Sequence, residues 1–588
     1  MKLLVTLLGV VVTRVTAALA QAIWPLLCEN GPNTRGCWGN YSIDTNFYEQ
    51  IPFTGVTREY WFVVENITMA PDGYLQNVIA INRSIPGPTI EADWGDKVVV
   101  HVTNMLEANG TSIHWHGIRQ KNNNLMDGTP GVTQCPIPPG KTFTYEWRAE
   151  QYGTASVQTW YHSHFSMQYS VGLQGPIIIH GPATANYEED LGTVILQDWS
   201  HVSPFTMWWY ARLPTGPPSL ASALINGKNV FDCTGSKDPN CLGNGTRSEW
   251  HFEQGKTYRI RIINTGLYSN FRFAIDGHNL TVIANDLVPI IPYVTDNACV
   301  HCVLFFQVVI SMGQRYDIVV QATAPPGNYW LRAIWQTSCC PNDYANNTLG
   351  IIRYDNTSAI LPTTSNPALY YLDNCGDEPL ERLVPHLPLN VGPPARTDVF
   401  NLYEVTLPLP KGFLWTLNNT YLWTNYSQPT NRMLAEHNSS FPAEYHVYRT
   451  PDTPDSWVYL VFNDISGRNR SHPMHLHGHD FFVLATGNGS FIPGQSILQR
   501  TNPPRRDTAT WAKRGYLVLA FKTDNPGSWL MHCHIVWHSS QSLGLQMLER
   551  PGDLALKRDE FDAMESMCNA WDAYWNRGGN YVQEDAGI

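Results

Sequence analysis

The sequence predicts an all-β chain built from three related β-sandwiches, and three observations carry that prediction. The first is composition: 44 Gly, 41 Pro and 12% aromatic residues stand against only 15% charged residues. Glycine and proline break helices and aromatics suit pleated surfaces, so many short strands joined by turns should result. The second is length, because 588 residues make three or four compact units at about 150 residues each. The third is an internal repeat. A strand ending in asparagine recurs as Lys97-Val-Val-Val-His-Val-Thr-Asn104, Thr257-Tyr-Arg-Ile-Arg-Ile-Ile-Asn264 and Trp457-Val-Tyr-Leu-Val-Phe-Asn463, none with a helical period. Later in each unit comes a second cognate: Thr159-Trp-Tyr-His-Ser-His164, Asn328-Tyr-Trp-Leu-Arg332 and Ser528-Trp-Leu-Met-His-Cys-His534. The units expected are residues 21–182, 183–375 and 376–550, with a tail over 551–588.

Before them lies a leader. Met1 and Lys2 precede an apolar stretch from Leu3 to Val12, and Ala18-Leu19-Ala20 supplies small residues for cleavage before Gln21, the pattern of a secretory signal over 1–20. Ten apolar residues are too few to span a bilayer, so no membrane anchor is expected. Thirteen Asn-x-Ser/Thr sequons, among them Asn66, Asn109, Asn279, Asn418 and Asn488, fit a glycosylated protein outside the cell or in its wall. A net charge of −12 speaks against nucleic acid as a partner. In an exported chain the twelve cysteines read first as disulfides. Cys28 with Cys37 and Cys233 with Cys241 bracket loops and make plausible local pairs, whereas Cys533, between His532 and His534, suits a metal better.

Four histidine clusters carry the chemistry: His114-Trp-His116, His162-Ser-His164, His472-Pro-Met-His475-Leu-His477 and His532-Cys533-His534-Ile-Val-Trp-His538. Residues i and i+2 of a strand share a face, so each His-x-His aims two imidazoles at one point. A lone histidine is an ordinary core residue; four such pairs are not. The clusters fall in the first and third units and are missing from the second, which places metal where units one and three meet, with the middle unit as spacer. Cys533, His538 and His472 form the His₂Cys set of a blue-copper electron-transfer site. The remaining eight histidines exceed what one ion holds and suit a cluster of three coppers.

These four motifs, in this order from His114 to His538, resemble those of the multicopper oxidases, and among them the laccases of ascomycete fungi. Cys28…Cys37-Trp38, Asp127-Gly128, Gln134-Cys135-Pro136 and the ending Asp585-Ala586-Gly587-Ile588 add to the likeness, with Ala586 standing where the family has serine. The resemblance implies three cupredoxin-like domains and four copper ions. It makes Cys533, His472 and His538 the type 1 ligands and gives His114 and His475 to the type 2 copper. His116, His162 and His534 would hold one type 3 copper, and His164, His477 and His532 the other. It also pairs Cys135 with Cys568, and Cys375 with Cys339 or Cys340. The implied activity is that of a monomer: small aromatic donors give electrons through partly exposed His538, Cys533 passes them on, and O₂ is reduced to water, with Asp127 relaying protons.

Three departures mark this chain. Ala155-Ser-Val-Gln158 interrupts the run before His162. Residues 298–307, with Cys299-Val-His-Cys302, separate Thr295-Asp296 from Ile310-Ser-Met-Gly-Gln-Arg-Tyr316. In the donor pocket Tyr268 takes the place where relatives put an acid that accepts the phenolic proton. A ferroxidase, an ascorbate oxidase, a phenol-coupling oxidase of pigment or secondary metabolism and a copper-sequestering wall protein are the alternatives. Leu543, ten residues after Cys533, stands where an ascorbate oxidase has methionine.

Overall fold

The asparagine-ended strands occupy equivalent places in three β-sandwiches. The computed structural model describes residues 28–152, 157–213, 216–295, 307–354, 359–365, 375–409, 411–554, 558–576 and 583–588. Lys97–Asn104, Thr257–Asn264 and Trp457–Asp464 each lie inside a sheet, parallel to one earlier strand: Thr57–Met69, Glu189–Trp199 and Arg396–Thr406 respectively. The first sandwich pairs two four-stranded sheets, and the second and third each pair a six-stranded with a five-stranded sheet. Apolar alternation drives this. In Trp457–Asp464, Val458, Leu460 and Phe462 enter the main core while Tyr459 and Val461 enter a second core on the other face.

The terminal asparagines explain the repeat's ending. Asn104 Oδ1 accepts the Leu106 N–H at 2.9 Å while its amide donates to the Asn109 and Ile137 carbonyls. Asn264 repeats this with Gly266, Ser269 and Ile310. Each holds the loop that leaves the strand, the local turn chemistry for which asparagine is suited. In the third unit the neighbouring Asp464 takes over, accepting the Ser466 N–H at 3.0 Å.

The second cognates lie in the partner sheets, as Val157–His162, Asn328–Trp335 and Gly527–Cys533. One hydrophobic core runs through the second and third sandwiches and takes in Trp160, Met167 and Tyr169 of the first. The tail helix Arg558–Asn576 sets Met564, Cys568 and Trp571 against Leu125, Phe165 and Tyr426. The Cys135–Cys568 disulfide fastens it there. Cys28–Cys37 and Cys233–Cys241 are formed, and Cys375 bonds Cys339, leaving Cys340 buried as a thiol. Among the described residues no helix is long and apolar enough to cross a membrane. The leader, Cys299 and Cys302 and residues 155 and 156 lie outside the described residues.

Candidate functional site

Two groups of buried side chains meet at the junction of the first and third sandwiches. Strand His114–His116 pairs antiparallel with Val157–His162, bringing His114 opposite His162. In the third sandwich His472–Leu476 pairs with Gly527–Cys533, so that His475 lies opposite His532 and Met474 opposite Cys533. Alternation along this last strand divides the chemistry. His532 turns toward the histidines of the first unit, with His534 beside His116 and His162 at ring distances of 5.1 and 5.7 Å. Cys533 turns the other way, its Sγ 3.8 Å from His472 Nδ1 and 3.5 Å from His538 Nδ1.

Ligating atoms of His472, Cys533 and His538 converge within 4.8 Å of one another, as do those of His164, His477 and His532, of His114, His116 and His162, and of His114, His475 and His477. The ring nitrogens show why these groups fit a metal. His114 Nδ1 lies 2.8 Å from the Asp127 carbonyl, His162 Nδ1 3.0 Å from the Ser163 carbonyl and His475 Nδ1 2.8 Å from the Asp507 carbonyl. The opposite Nε2 of each is buried with no hydrogen-bond partner. His116 does the reverse, with Nε2 3.2 Å from Asp507 Oδ1 and Nδ1 bare. One nitrogen tied outward and one bare nitrogen aimed inward is the arrangement of a metal-ligating imidazole.

Burial sets the protonation states. It pushes His116, His162, His164, His477, His534 and His538 well below the ordinary imidazole value, helped by neighbouring rings, and lowers His472 to about 4 and His532 to about 3. These rings are neutral near pH 7, as metal ligands must be. Burial raises the Cys533 thiol well above its usual value, so a bound cation is needed to make it a thiolate.

Two carboxylates brace the larger group. Asp127 Oδ2 lies 2.9 Å from His477 Nδ1 and accepts the Thr129 hydroxyl at 2.7 Å, whereas Oδ1 makes no hydrogen bond. The adjacent Gly128 has φ +84°, and a Cβ there would lie 1.8 Å from the Ile113 carbonyl oxygen, so the turn that presents Asp127 needs glycine. The second carboxylate, Asp507, escapes sequence reading because Pro-Pro-Arg-Arg-Asp-Thr looks like a charged loop. It is held bidentately by Arg315 at 2.6 Å for both contacts. Burial alone would raise Asp507, but Arg315 together with the His116 and His475 contacts outweighs it and holds the carboxyl well below the usual range. Arg315 and Gly313, whose Cα faces the His116 and His534 rings, belong to the middle sandwich. That unit is therefore more than a spacer: it supplies part of the cluster wall.

A cleft of about 100 Å³ opens over His538, walled by Tyr268, Phe413, Trp415 and Trp537. His538, expected to be partly exposed, is only 6% exposed and lines this cleft. Tyr268 is 3% exposed, and burial pushes its phenol further from any use as a base. Asp276 is paired with Arg332 and Asp286 with Arg506, so neither serves the cleft. Asp198 accepts the backbone N–H groups of Leu267 and Tyr268, both at 2.8 Å, and burial raises it to about 6. It anchors the loop that carries Tyr268. Asp585, Ala586 and Ile588 of the tail are buried, with Asp585 bonded to Ser166, two residues past His164.

Three cupredoxin-like sandwiches with a Cys-His site beside a polyhistidine cluster define the class, and the chain belongs to the multicopper oxidase family. Its domain models match residues 63–184, 190–357 and 414–553. Within that family the chain is a laccase-like oxidoreductase. It is 70% identical over 562 residues to "Oxidoreductase OpS5" of Beauveria bassiana, covering 95% of this chain and 93% of that one. "Laccase-2" of Botryotinia fuckeliana is 48% identical over 565 residues, covering 95% and 94%. The crystal structure of the laccase from Botrytis aclada superposes with a TM-score of 0.89 at 47% identity, covering 95% of this chain and all of that one.

Proposed function

We propose that the chain is a secreted laccase-type copper oxidase that couples one-electron oxidation of phenols and aromatic amines to four-electron reduction of O₂ to water. The observation that carries this reading is the alternation at His532-Cys533-His534, which joins a His₂Cys site to a polyhistidine cluster through a single residue. On this reading Cys533, His472 and His538 hold the type 1 copper, and His114 and His475 the type 2. His116, His162 and His534 hold one type 3 copper, and His164, His477 and His532 the other. The bare ring nitrogens and neutral imidazoles support that assignment.

Copper bound to these residues supplies one-electron steps at the first site and reduction of O₂ at the second. The chain's own residues do the rest. His538 receives the donor at the cleft, and Cys533 connects covalently to two histidines of the larger cluster, so no diffusion separates donor from O₂. Asp127 stands by the cluster with Oδ1 free to take up a proton, and its Oδ2 orients His477. The aromatic walls and buried tail exclude bulk water. Secretion rests on the leader, the sequons and the four disulfides among the described residues.

The test is oxygen uptake by the copper-loaded protein with a phenol, Fe(II), ascorbate and no donor. Uptake of one O₂ per four phenols, with a strong visible band, is expected. Preference for Fe(II) or ascorbate, or tight copper without turnover, points to one of the other readings.

A further inference from the structure

The cleft over His538 has an unusual charge for a chain of net −12. Among the described residues no carboxylate lines it, whereas Arg468 and Arg470 do. Arg468 stands over Phe413, 5.5 Å from the ring centre, and is paired with Glu404. Arg470 stands 5.8 Å from the Tyr268 ring centre. One Arg470 nitrogen donates to the Cys339 carbonyl at 2.9 Å, and among the described residues no carboxylate lies within 4 Å of its guanidinium. Among the described residues its charge is therefore not paired, with further N–H donors left over from the five that a guanidinium carries. The indole N–H groups of Trp415 and Trp537, two walls of the cleft, are buried donors without partners. The polar atoms around the donor position are thus rich in donors and positive charge, with aromatic faces to stack a ring. A neutral phenol leaves that charge unanswered.

We propose that this cleft selects phenols carrying a negatively charged ring substituent, a carboxylate above all, with Arg470 as the anchor and Arg468 at the rim. The inference rests on the laccase reading and names its substrate class. Ring stacking on the aromatic walls directs the phenolic oxygen toward His538 while the carboxylate meets the guanidinium, a charge-assisted and geometrically specific contact. Four such phenols and one O₂ give four aryloxyl radicals and two waters. Each phenol loses one electron and one proton, and the proton leaves to solvent because among the described residues no acid lines the cleft.

The test compares 4-hydroxy-3,5-dimethoxybenzoate with its methyl ester as donors to the copper-loaded full chain, reading kcat/KM by oxygen uptake. The ratio of acid to ester should fall about tenfold in Arg470→Gln, mainly through KM for the acid. Arg470→Lys, which keeps the charge but not the fork, should retain part of the ratio, and raising the ionic strength should erode it. A ratio unchanged in Arg470→Gln while the ester is still oxidised overturns the inference and leaves the laccase reading intact. Failure of the wild-type chain to oxidise either donor overturns both.

Discussion

The two candidate metal positions both rely on buried imidazoles but differ in their surroundings. Around the polyhistidine cluster stand two fully buried carboxylates, Asp127 and Asp507, each touching histidines of the cluster. Around His472, Cys533 and His538 stand Trp415, at 5.0 and 4.9 Å from the two rings, Trp511 at 5.7 Å and the buried Leu543. Among the described residues no carboxylate lies within 4 Å of His472 or His538. The difference follows from the chemistry proposed for each. Where O₂ becomes water, protons must arrive with electrons, so a group that can carry them is worth its desolvation cost. Where only electrons pass, a dry aromatic shell is enough.

The largest test of this contrast removes the link. Cys533→Ser should abolish the visible band and cut donor oxidation by more than about a hundredfold, while metal analysis still finds copper in the polyhistidine cluster. A mutant that stays blue breaks the division into two sites. Next, Asp127→Asn keeps the shape but cannot hold a proton on a carboxylate. Steady-state O₂ consumption should fall about 10–100-fold with the visible band unchanged; loss of the band instead would make Asp127 a structural brace of the whole junction. Deleting residues 585–588 should change O₂ kinetics several-fold, also without touching the band, because Asp585 is bonded beside His164. Chain ends are ordinarily expendable, so identical kinetics would show this tail to be packing only. The smallest effect is expected at the electron-only site. Leu543 contributes no electron density, and Leu543→Met should lower the reduction potential measured by redox titration; an unchanged or higher value contradicts an axial role.

Much of this was legible because it is local. His-x-His spacing fixes which face two imidazoles share, and one intervening cysteine necessarily faces the other way. The repeated strand ending in asparagine was legible for the same reason, since in two of the three units two of the side chain's three hydrogen bonds close the local turn and only the third, to Ile137 or Ile310, is long-range. The role of the middle unit was not legible. Absence of histidines suggested a spacer, yet Arg315 and Gly313 complete the cluster wall from a sandwich that offers no ligand.

The sequence by itself determined the fold class and the eleven candidate ligands, because period-two alternation and motif spacing are properties of a single strand. Only the tertiary structure decided that Arg315 neutralises Asp507 across 192 residues, that Cys339 rather than Cys340 bonds Cys375, and that Arg470 faces Tyr268 over His538. Each of these joins segments far apart in the chain, and which distant side chains share one dry space is set by how the sandwiches pack, a quantity that no local pattern encodes.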